Sequence, residues 1–205
     1  MEKKKYNISE ENKIYILGGK GVGKTSLFNL IFSEQFIEGI EPSEIGIIKS
    51  TYKYEEKVFT IKELTDDENF FYTNKLKNEL EDILLIFVVF SFSDKDSFEK
   101  AKDLIHFIKN NITNNNEIQI VLIGNKYDLY ENLINEIELD EETVQKYEKE
   151  ENLKYINVSC KLKKNIEQVK ELINNLEIEK EKEEEDDGGL NEEERKKQAK
   201  GCVCF

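Results

Sequence analysis

The chain has 205 residues, and 44 acidic against 30 basic side chains give it a formal net charge of −14. This length favours one α/β domain with a tail over two full domains. The negative charge argues against a nucleic-acid-binding surface, because phosphate binding needs a basic face. Residues 177–205 carry a net charge of −5, which leaves −9 on residues 1–176.

Three cysteines, Cys160, Cys202 and Cys204, provide no disulfide framework, which favours a reducing compartment. The amino-terminal residues lead into no apolar signal segment. The longest apolar run, residues 83–90, is too short to span a bilayer. We therefore expect a cytoplasmic protein that is neither secreted nor transmembrane.

Apolar runs of strand type alternate with segments of helical periodicity. In chain order they predict a strand at 13–17, a helix at 25–33, strands at 47–54, 57–64 and 83–90, a helix around 98–108, strands at 118–123 and 154–158, and a helix at 166–176. The second and third strands flank Glu55-Glu56 and suggest a hairpin. The continuously apolar fourth strand is typical of the centre of a parallel sheet.

This alternation, with a glycine-rich first turn, predicts a doubly wound, mostly parallel six-stranded sheet with helices on both faces. The ligand site of such a sheet lies at the carboxyl ends of its strands. We divide the chain into an extension at 1–12, a domain at 13–176 and a charged tail at 177–205. The tail composition cannot bury enough apolar surface to fold.

The glycine-rich turn lies between the first strand and the first helix. Its sequence, which matches G-x-x-x-x-G-K-[ST], is Gly18-Gly19-Lys20-Gly21-Val22-Gly23-Lys24-Thr25. Backbone N–H groups of such a loop bind phosphate oxygens together with the helix N-terminus. Lys24 is predicted to stabilise the charge of the β- and γ-phosphates, and Thr25 is predicted to bind Mg²⁺. Ser26 is predicted to contact the nucleotide. The motif indicates a nucleoside triphosphate but does not specify the base.

Two further motifs follow later strands of the sheet. Gly124-Asn125-Lys126-Tyr127-Asp128 comes after the strand at 118–123, and Ser159-Cys160-Lys161 comes after the strand at 154–158. They resemble the N-K-x-D and S-A-K motifs of the Ras superfamily of small GTPases. The order and spacing of elements match that superfamily over about residues 13–176. The resemblance implies a small G domain that binds GTP and GDP with Mg²⁺ and hydrolyses GTP.

The resemblance assigns guanine recognition to these two motifs, with Ser159 and Lys161 among the contacts. The carboxylate of Asp128 suits guanine N1–H and the exocyclic amine, a donor pair that adenine lacks. Lys126 would lie along the base, and Asn125 would link the loops. The backbone N–H of residue 160 would serve the guanine carbonyl oxygen, so cysteine in place of alanine changes little.

Other residues bear on the branch of the superfamily. Phe36 lies 12 residues after Lys24, where the family places an aromatic ring at the base edge, although it can also serve loop packing. Asn69-Phe70-Phe71-Tyr72 and Ile45-Gly46 resemble the Rab branch more than Ras itself. A Rab-like protein implies a monomer that meets effectors and an exchange factor in vesicle traffic.

The second switch segment departs from the family pattern. The family's D-T-A-G-Q is replaced by Glu63-Leu64-Thr65-Asp66-Asp67. Glu63 is predicted to hold Mg²⁺ through water, and Asp66 would repel the γ-phosphate. Asp67 takes the position of the catalytic glutamine that orients the attacking water. The resemblance therefore implies slow hydrolysis, with a hydrolysis-deficient scaffold as the alternative.

Two further positions leave the chemistry open. The Mg²⁺-binding threonine of switch I is matched by Ser43 when counted from Lys24, and by Glu44 when counted back from Ile45-Gly46. Lys20 either adds a cation near the γ-phosphate or points to solvent.

The single arginine, Arg195, lies in the tail, so the domain supplies no arginine finger. The lack of arginine in residues 13–176 also disfavours a nucleotide kinase, because phosphoryl-transfer chemistry of that kind usually uses arginines.

The carboxyl end carries a lipidation pattern. Cys202-Val203-Cys204-Phe205 fits C-a-a-X with a geranylgeranyl group on Cys202, and the pair Cys202 and Cys204 also resembles doubly prenylated Rab ends. Four basic residues stand upstream, and each adds about 1 kcal/mol of attraction to an anionic membrane surface. We expect the prenylation machinery to make this a peripheral protein of the cytoplasmic leaflet.

Overall fold

The computed structural model describes residues 13–33, 47–54, 57–64, 83–111, 118–133 and 139–176. In chain order the elements are β1 (Lys13–Gly18), α1 (Lys24–Ser33), β2 (Ile47–Tyr54), β3 (Lys57–Leu64), β4 (Ile83–Ser91), α2 (Lys95–Asn111), β5 (Gln119–Asn125), α3 (Tyr127–Leu133), α4 (Glu141–Glu151), β6 (Lys154–Asn157) and α5 (Ile166–Asn174). No helix within the described residues is both long and apolar enough to cross a membrane.

The six strands form one sheet in the order β2-β3-β1-β4-β5-β6. Strands β2 and β3 are antiparallel, and their register pairs Tyr54 with Lys57 across the predicted turn. The remaining neighbours are parallel. The mostly parallel six-stranded sheet, the hairpin and the central position of β4 are therefore confirmed.

Helices cover the sheet on both faces because its inner strands are apolar on both sides. Side chains alternate along a strand, so Ile14 and Ile16 face one core while Tyr15 and Leu17 face the other. The first core includes residues of α1 and α5, and the second includes residues of α2 and α4. This two-sided burial is the doubly wound arrangement that the sequence predicts.

Two helices are absent from the sequence prediction. Helix α3 has seven residues, too few for a periodic pattern. Helix α4 buries only Val144 and Tyr147 among charged neighbours, so its apolar face is narrow. A start signal was present, because the carboxylate of Asp140 accepts the Thr143 N–H at 2.6 Å as an N-cap. Hydrogen bonds from the backbone and the side chain of Thr143 hold the pKa of the Asp140 carboxyl below its usual value.

The parallel strands bring three connections to one edge of the sheet. Strand β1 ends at Gly18 and leads into the glycine loop, β5 ends at Asn125, and β6 leads to residues 159–164. In that last segment Ser159 and Lys164 exchange two backbone hydrogen bonds, of 3.2 and 3.0 Å. We call residues 159–164 the closed turn. The fold therefore gathers the three predicted motifs at the carboxyl edge.

Candidate functional site

The glycine loop passes close to two neighbouring segments. Gly18 has φ +146°, and a Cβ there would lie 2.1 Å from the carbonyl oxygen of Val89. Gly23 has φ +96°, and a Cβ there would lie 2.2 Å from Nδ2 of Asn125. Both positions therefore require glycine, because a side chain would strain the backbone and displace its neighbour.

Lys24 begins α1, and its ammonium group lies over the glycine loop. Its Nζ donates to the carbonyl oxygens of Gly18 at 3.0 Å and Gly19 at 2.9 Å. Its side chain is buried. The loop thus holds a buried cation beside the N-terminus of a ten-residue helix, an arrangement that attracts anions.

Asn125 connects the glycine loop to the closed turn. Its Nδ2 donates to the carbonyl oxygen of Val22 at 2.8 Å, and its Oδ1 accepts the Cys160 N–H at 3.2 Å. Asn125 is 2% exposed, so both bonds lie away from water. The next residue, Lys126, takes a left-handed conformation with φ 58° and directs the chain into α3.

Asp128 is buried and fixed from the closed turn. Ser159 Oγ donates to Asp128 Oδ1 at 2.6 Å, and the same Oγ accepts the Leu162 N–H at 3.1 Å. The hydroxyl therefore uses its donor on the carboxylate and an acceptor site on the turn backbone. This pairing sets the carboxylate of one motif at a fixed distance from the other motif.

Cys160 contributes its backbone N–H, and not its thiol, to the contact with Asn125. Its side chain is 3% exposed and belongs to the core on the α1 and α5 face. Burial raises the pKa of its thiol to about 12, so the sulfur stays protonated and is a poor nucleophile.

These residues surround a cavity of about 200 Å³. Gly23 and Ser26 border it from the glycine loop and α1, and the segments 125–128 and 160–161 contribute Asn125, Lys126, Asp128, Cys160 and Lys161. The structure thus brings together seven of the residues that the sequence singled out.

Leu129 also lines the cavity and was missed, since no motif contains it. Leu129 follows Asp128 directly and lies on the first turn of α3. The sequence could have indicated its position at the cavity only if α3 had been predicted.

Of the predicted Mg²⁺ ligands, Thr25 and Glu63 lie within the described residues. Thr25 is the second residue of α1, and Glu63 is the penultimate residue of β3, in register with Ile16 of β1. Both therefore belong to elements that meet at the carboxyl edge, and hydroxyl and carboxylate oxygens are the hard ligands that suit Mg²⁺. Among the residues described, no three His, Cys, Asp or Glu side chains already form a metal cluster.

Several predicted site residues lie outside the described ranges. These are Phe36, Ser43, Glu44, Asp66, Asp67, Cys202 and Cys204. Lys20 is described and exposed on the glycine loop.

Comparison with known proteins identifies the family. The family model "Ras family" matches residues 13–178, which is most of the chain and includes all three motifs. The chain belongs to the Ras family. Members of the Ras family are GTPases that bind GTP and GDP, generally with Mg²⁺.

Individual relatives are distant. The chain is 26% identical over 177 residues to Ras-like protein rasU of Dictyostelium discoideum, covering 80% of this chain and 76% of the relative. It is 29% identical over 167 residues to Ras-related protein RabJ of the same organism, covering 78% and 61%. It is also 29% identical over 124 residues to GTP-binding protein rhb1 of Schizosaccharomyces pombe, covering 59% and 65%. This Ras family member is therefore divergent.

The Asn125 link predicts a large stability effect. Asn125→Ala leaves the buried Val22 carbonyl and Cys160 N–H without these partners, so we expect the free energy of unfolding to fall by about 2–4 kcal/mol. Urea denaturation of nucleotide-free protein measures it. Asn111→Ala is the matched control, because Asn111 Nδ2 also donates to a backbone carbonyl at 2.9 Å but at the half-exposed end of α2. Equal losses for the two variants would contradict the argument.

Proposed function

We propose that this Ras family member binds GTP and GDP with Mg²⁺ and acts as a membrane-anchored, Rab-like switch with slow intrinsic hydrolysis. One observation carries the nucleotide assignment. A single cavity joins the glycine loop, through Gly23, to the residues of both base motifs, with Asp128 and Cys160 among them. A ligand with a base in that cavity has its phosphates directed along the loop towards Lys24.

The chemistry of the cavity favours guanine over adenine. An ionised carboxylate only accepts hydrogen bonds, and guanine offers two adjacent donors, N1–H and the amine, where adenine has no such pair. The hydroxyl of Ser159 holds the Asp128 carboxylate in place. The Cys160 N–H, bonded to Asn125 at 3.2 Å, is proposed to be shared with the guanine carbonyl oxygen as a three-centre hydrogen bond.

Phosphate binding uses the loop and its cation. We propose that the loop N–H groups of residues 18–25 and the Lys24 ammonium bind the phosphates, with the ammonium exchanging its bonds to the loop carbonyls for phosphate oxygens. Thr25, Ser43 or Glu44, and Glu63 through water are the proposed Mg²⁺ ligands. When bound, Mg²⁺ supplies charge neutralisation at the β- and γ-phosphates.

Base selectivity tests the proposal directly. Titration of the full chain with fluorescent mant-labelled GDP, GTP and ADP is expected to give tight guanine binding and ADP binding weaker by at least about a hundredfold. Asp128→Asn presents an N–H in place of a carboxylate oxygen, so we expect GDP affinity to fall and xanthosine diphosphate affinity to rise. Comparable ADP and GDP binding by the wild-type chain would contradict the base assignment.

Slow hydrolysis is proposed from the residues that replace the family's catalytic set. Asp67 stands at the position of the water-orienting glutamine, and Asp66 brings negative charge where the family has glycine. The domain contains no arginine, and an arginine finger is worth roughly 10³–10⁵ in rate. The same observations favour the second candidate function, a pseudo-GTPase that binds nucleotide as a scaffold without cycling.

A single-turnover measurement separates these two functions. We expect GTP to be hydrolysed more slowly than the order of 10⁻⁴ s⁻¹ that an unassisted small GTPase reaches, because positioning and charge stabilisation are both reduced. Lys20→Ala lowers the rate further if Lys20 meets the γ-phosphate and leaves it unchanged if it points to solvent. Lys146→Ala, an exposed lysine of α4, is the control. A wild-type rate at or above the unassisted value would refute slow hydrolysis, and no hydrolysis at all would favour the scaffold.

Membrane anchoring and the Rab-like role are proposed from the tail and from family likeness. Cys202 and Cys204 are proposed prenylation sites, and four basic residues precede them at 195–200. One lipid chain alone binds a membrane only marginally, so the lipid and the basic residues are expected to act together. The relative named Ras-related protein RabJ supports the Rab comparison, and vesicle traffic, effectors and an exchange factor are inferred by family analogy.

Cell fractionation tests the anchor. We expect the Cys202→Ser, Cys204→Ser double variant to move from the membrane fraction to the supernatant, because its tail has no thiol left to prenylate. Substituting Gln for Arg195, Lys196, Lys197 and Lys200 should give an intermediate distribution, since the lipid remains. A double cysteine variant that fractionates like the wild type would overturn the proposal.

A further inference from the structure

Tyr127 occupies the variable position of the N-K-x-D motif, between Lys126 and Asp128, and it makes contacts on both sides of its backbone. Its N–H donates to the carbonyl oxygen of Val158 at 3.1 Å, just before the closed turn. Its Oη donates to Oε2 of Glu141, the first residue of α4, at 2.7 Å. A residue between two base-reading side chains is thus tied to two other segments.

Glu141 extends this link to β6 and to Asn165, the residue that follows the closed turn. Its other oxygen, Oε1, accepts from Asn157 Nδ2 at 2.9 Å. Asn165 Nδ2 then donates to the backbone oxygen of Asn157 at 2.9 Å and to its Oδ1 at 2.7 Å. Each amide is oriented by the next, so the Glu141 carboxylate receives two donors, one on each oxygen.

The Tyr127 ring, like its hydroxyl, contacts neighbouring side chains. It stacks on Tyr130 with centroids 5.4 Å apart, meets Phe92 edge-on at 5.2 Å, and lies 5.0 Å from the Lys164 ammonium. Tyr130 Oη in turn accepts the Glu141 N–H at 3.3 Å. Burial and the bond to Glu141 raise the pKa of Tyr127 well above its usual value, which keeps the hydroxyl protonated as a donor.

We propose that Tyr127 and Glu141 are a positioning pair for guanine selectivity, which holds Asp128 in register with the closed turn. The inference rests on the proposed function, since it concerns how the same cavity reads its base. Neither side chain lines the cavity. The pair acts through the backbone of residues 126–128, because Tyr127 is covalently adjacent to the carboxylate residue that reads the base.

A purely structural role predicts lost stability with unchanged base discrimination. A positioning role predicts that discrimination falls, because a displaced Asp128 loses its bond to the exocyclic amine of guanine. Inosine diphosphate lacks that amine, so its affinity depends less on where Asp128 lies. The ratio of inosine to guanosine diphosphate dissociation constants therefore separates the two roles.

The experiment uses Tyr127→Phe in the full chain and measures release of mant-labelled GDP. We expect release to become roughly threefold to tenfold faster, as for net loss of one ordinary hydrogen bond, and the inosine-to-guanosine ratio to shrink. Tyr147→Phe is the matched control. The Tyr147 hydroxyl is buried on α4 and has no hydrogen-bond partner among the described residues. We expect that control to release GDP at the wild-type rate.

Glu141→Ala gives a second variant, because it removes the acceptor oxygens of both Tyr127 and Asn157, whereas a glutamine amide can still donate to the Tyr127 hydroxyl oxygen. If the pair acts as one unit, the double variant releases GDP no faster than the more affected single variant. Wild-type chain that fails to bind GDP overturns the proposed function and this inference together. GDP binding with Tyr127→Phe matching the Tyr147→Phe control, or faster release with an unchanged inosine-to-guanosine ratio, overturns this inference alone.

Discussion

The buried side-chain amide of Asn125 joins the glycine loop to the closed turn. A single planar group supplies a donor to the Val22 carbonyl and an acceptor to the Cys160 N–H. An aspartate would lose the donor and an aliphatic side chain would lose both, leaving buried backbone groups without these partners. The close approach of Gly23 to this amide shows that the glycine loop is shaped around it.

The parallel sheet makes that junction possible. Strands β1 and β5 are separated in the sheet by β4, yet their carboxyl ends lie at one edge because all three run in the same direction. The glycine loop and the 125–128 segment therefore meet although they are about a hundred residues apart in sequence. Closing such long loops costs conformational entropy, and the burial of the strand side chains on both faces of the sheet offsets that cost.

Much of this arrangement could be predicted from sequence, because its signals are local. The run at 83–90 is apolar on every residue, so its central place in the sheet followed from composition alone. The glycine loop and the N-K-x-D motif are contiguous, and each carries its chemistry within eight residues.

The remainder could not be predicted, because it depends on residues that touch only after folding. Helix α4 has a weak apolar stripe, and the hydrogen bond that ties it to α3 joins Glu141 to Tyr127, 14 residues apart. Asn157 and Asn165 belong to no motif, and they meet because the closed turn between them reverses the chain. Even the thiol of Cys160 is understood only from its burial, which assigns it to the core and leaves the backbone N–H to face Asn125.

The closed turn has a thermodynamic consequence for any ligand that enters the cavity. Two backbone hydrogen bonds between Ser159 and Lys164, with the Leu162 N–H bonded to the Ser159 hydroxyl, fix this segment as part of the folded chain. The conformational entropy of ordering it is therefore lost during folding and not on binding. In the proposed binding mode the closed turn is thus preorganised for the base, whereas Lys24 exchanges its existing bonds for bonds to a phosphate. The proposed recognition of the base and the proposed engagement of the phosphates therefore carry different reorganisation costs.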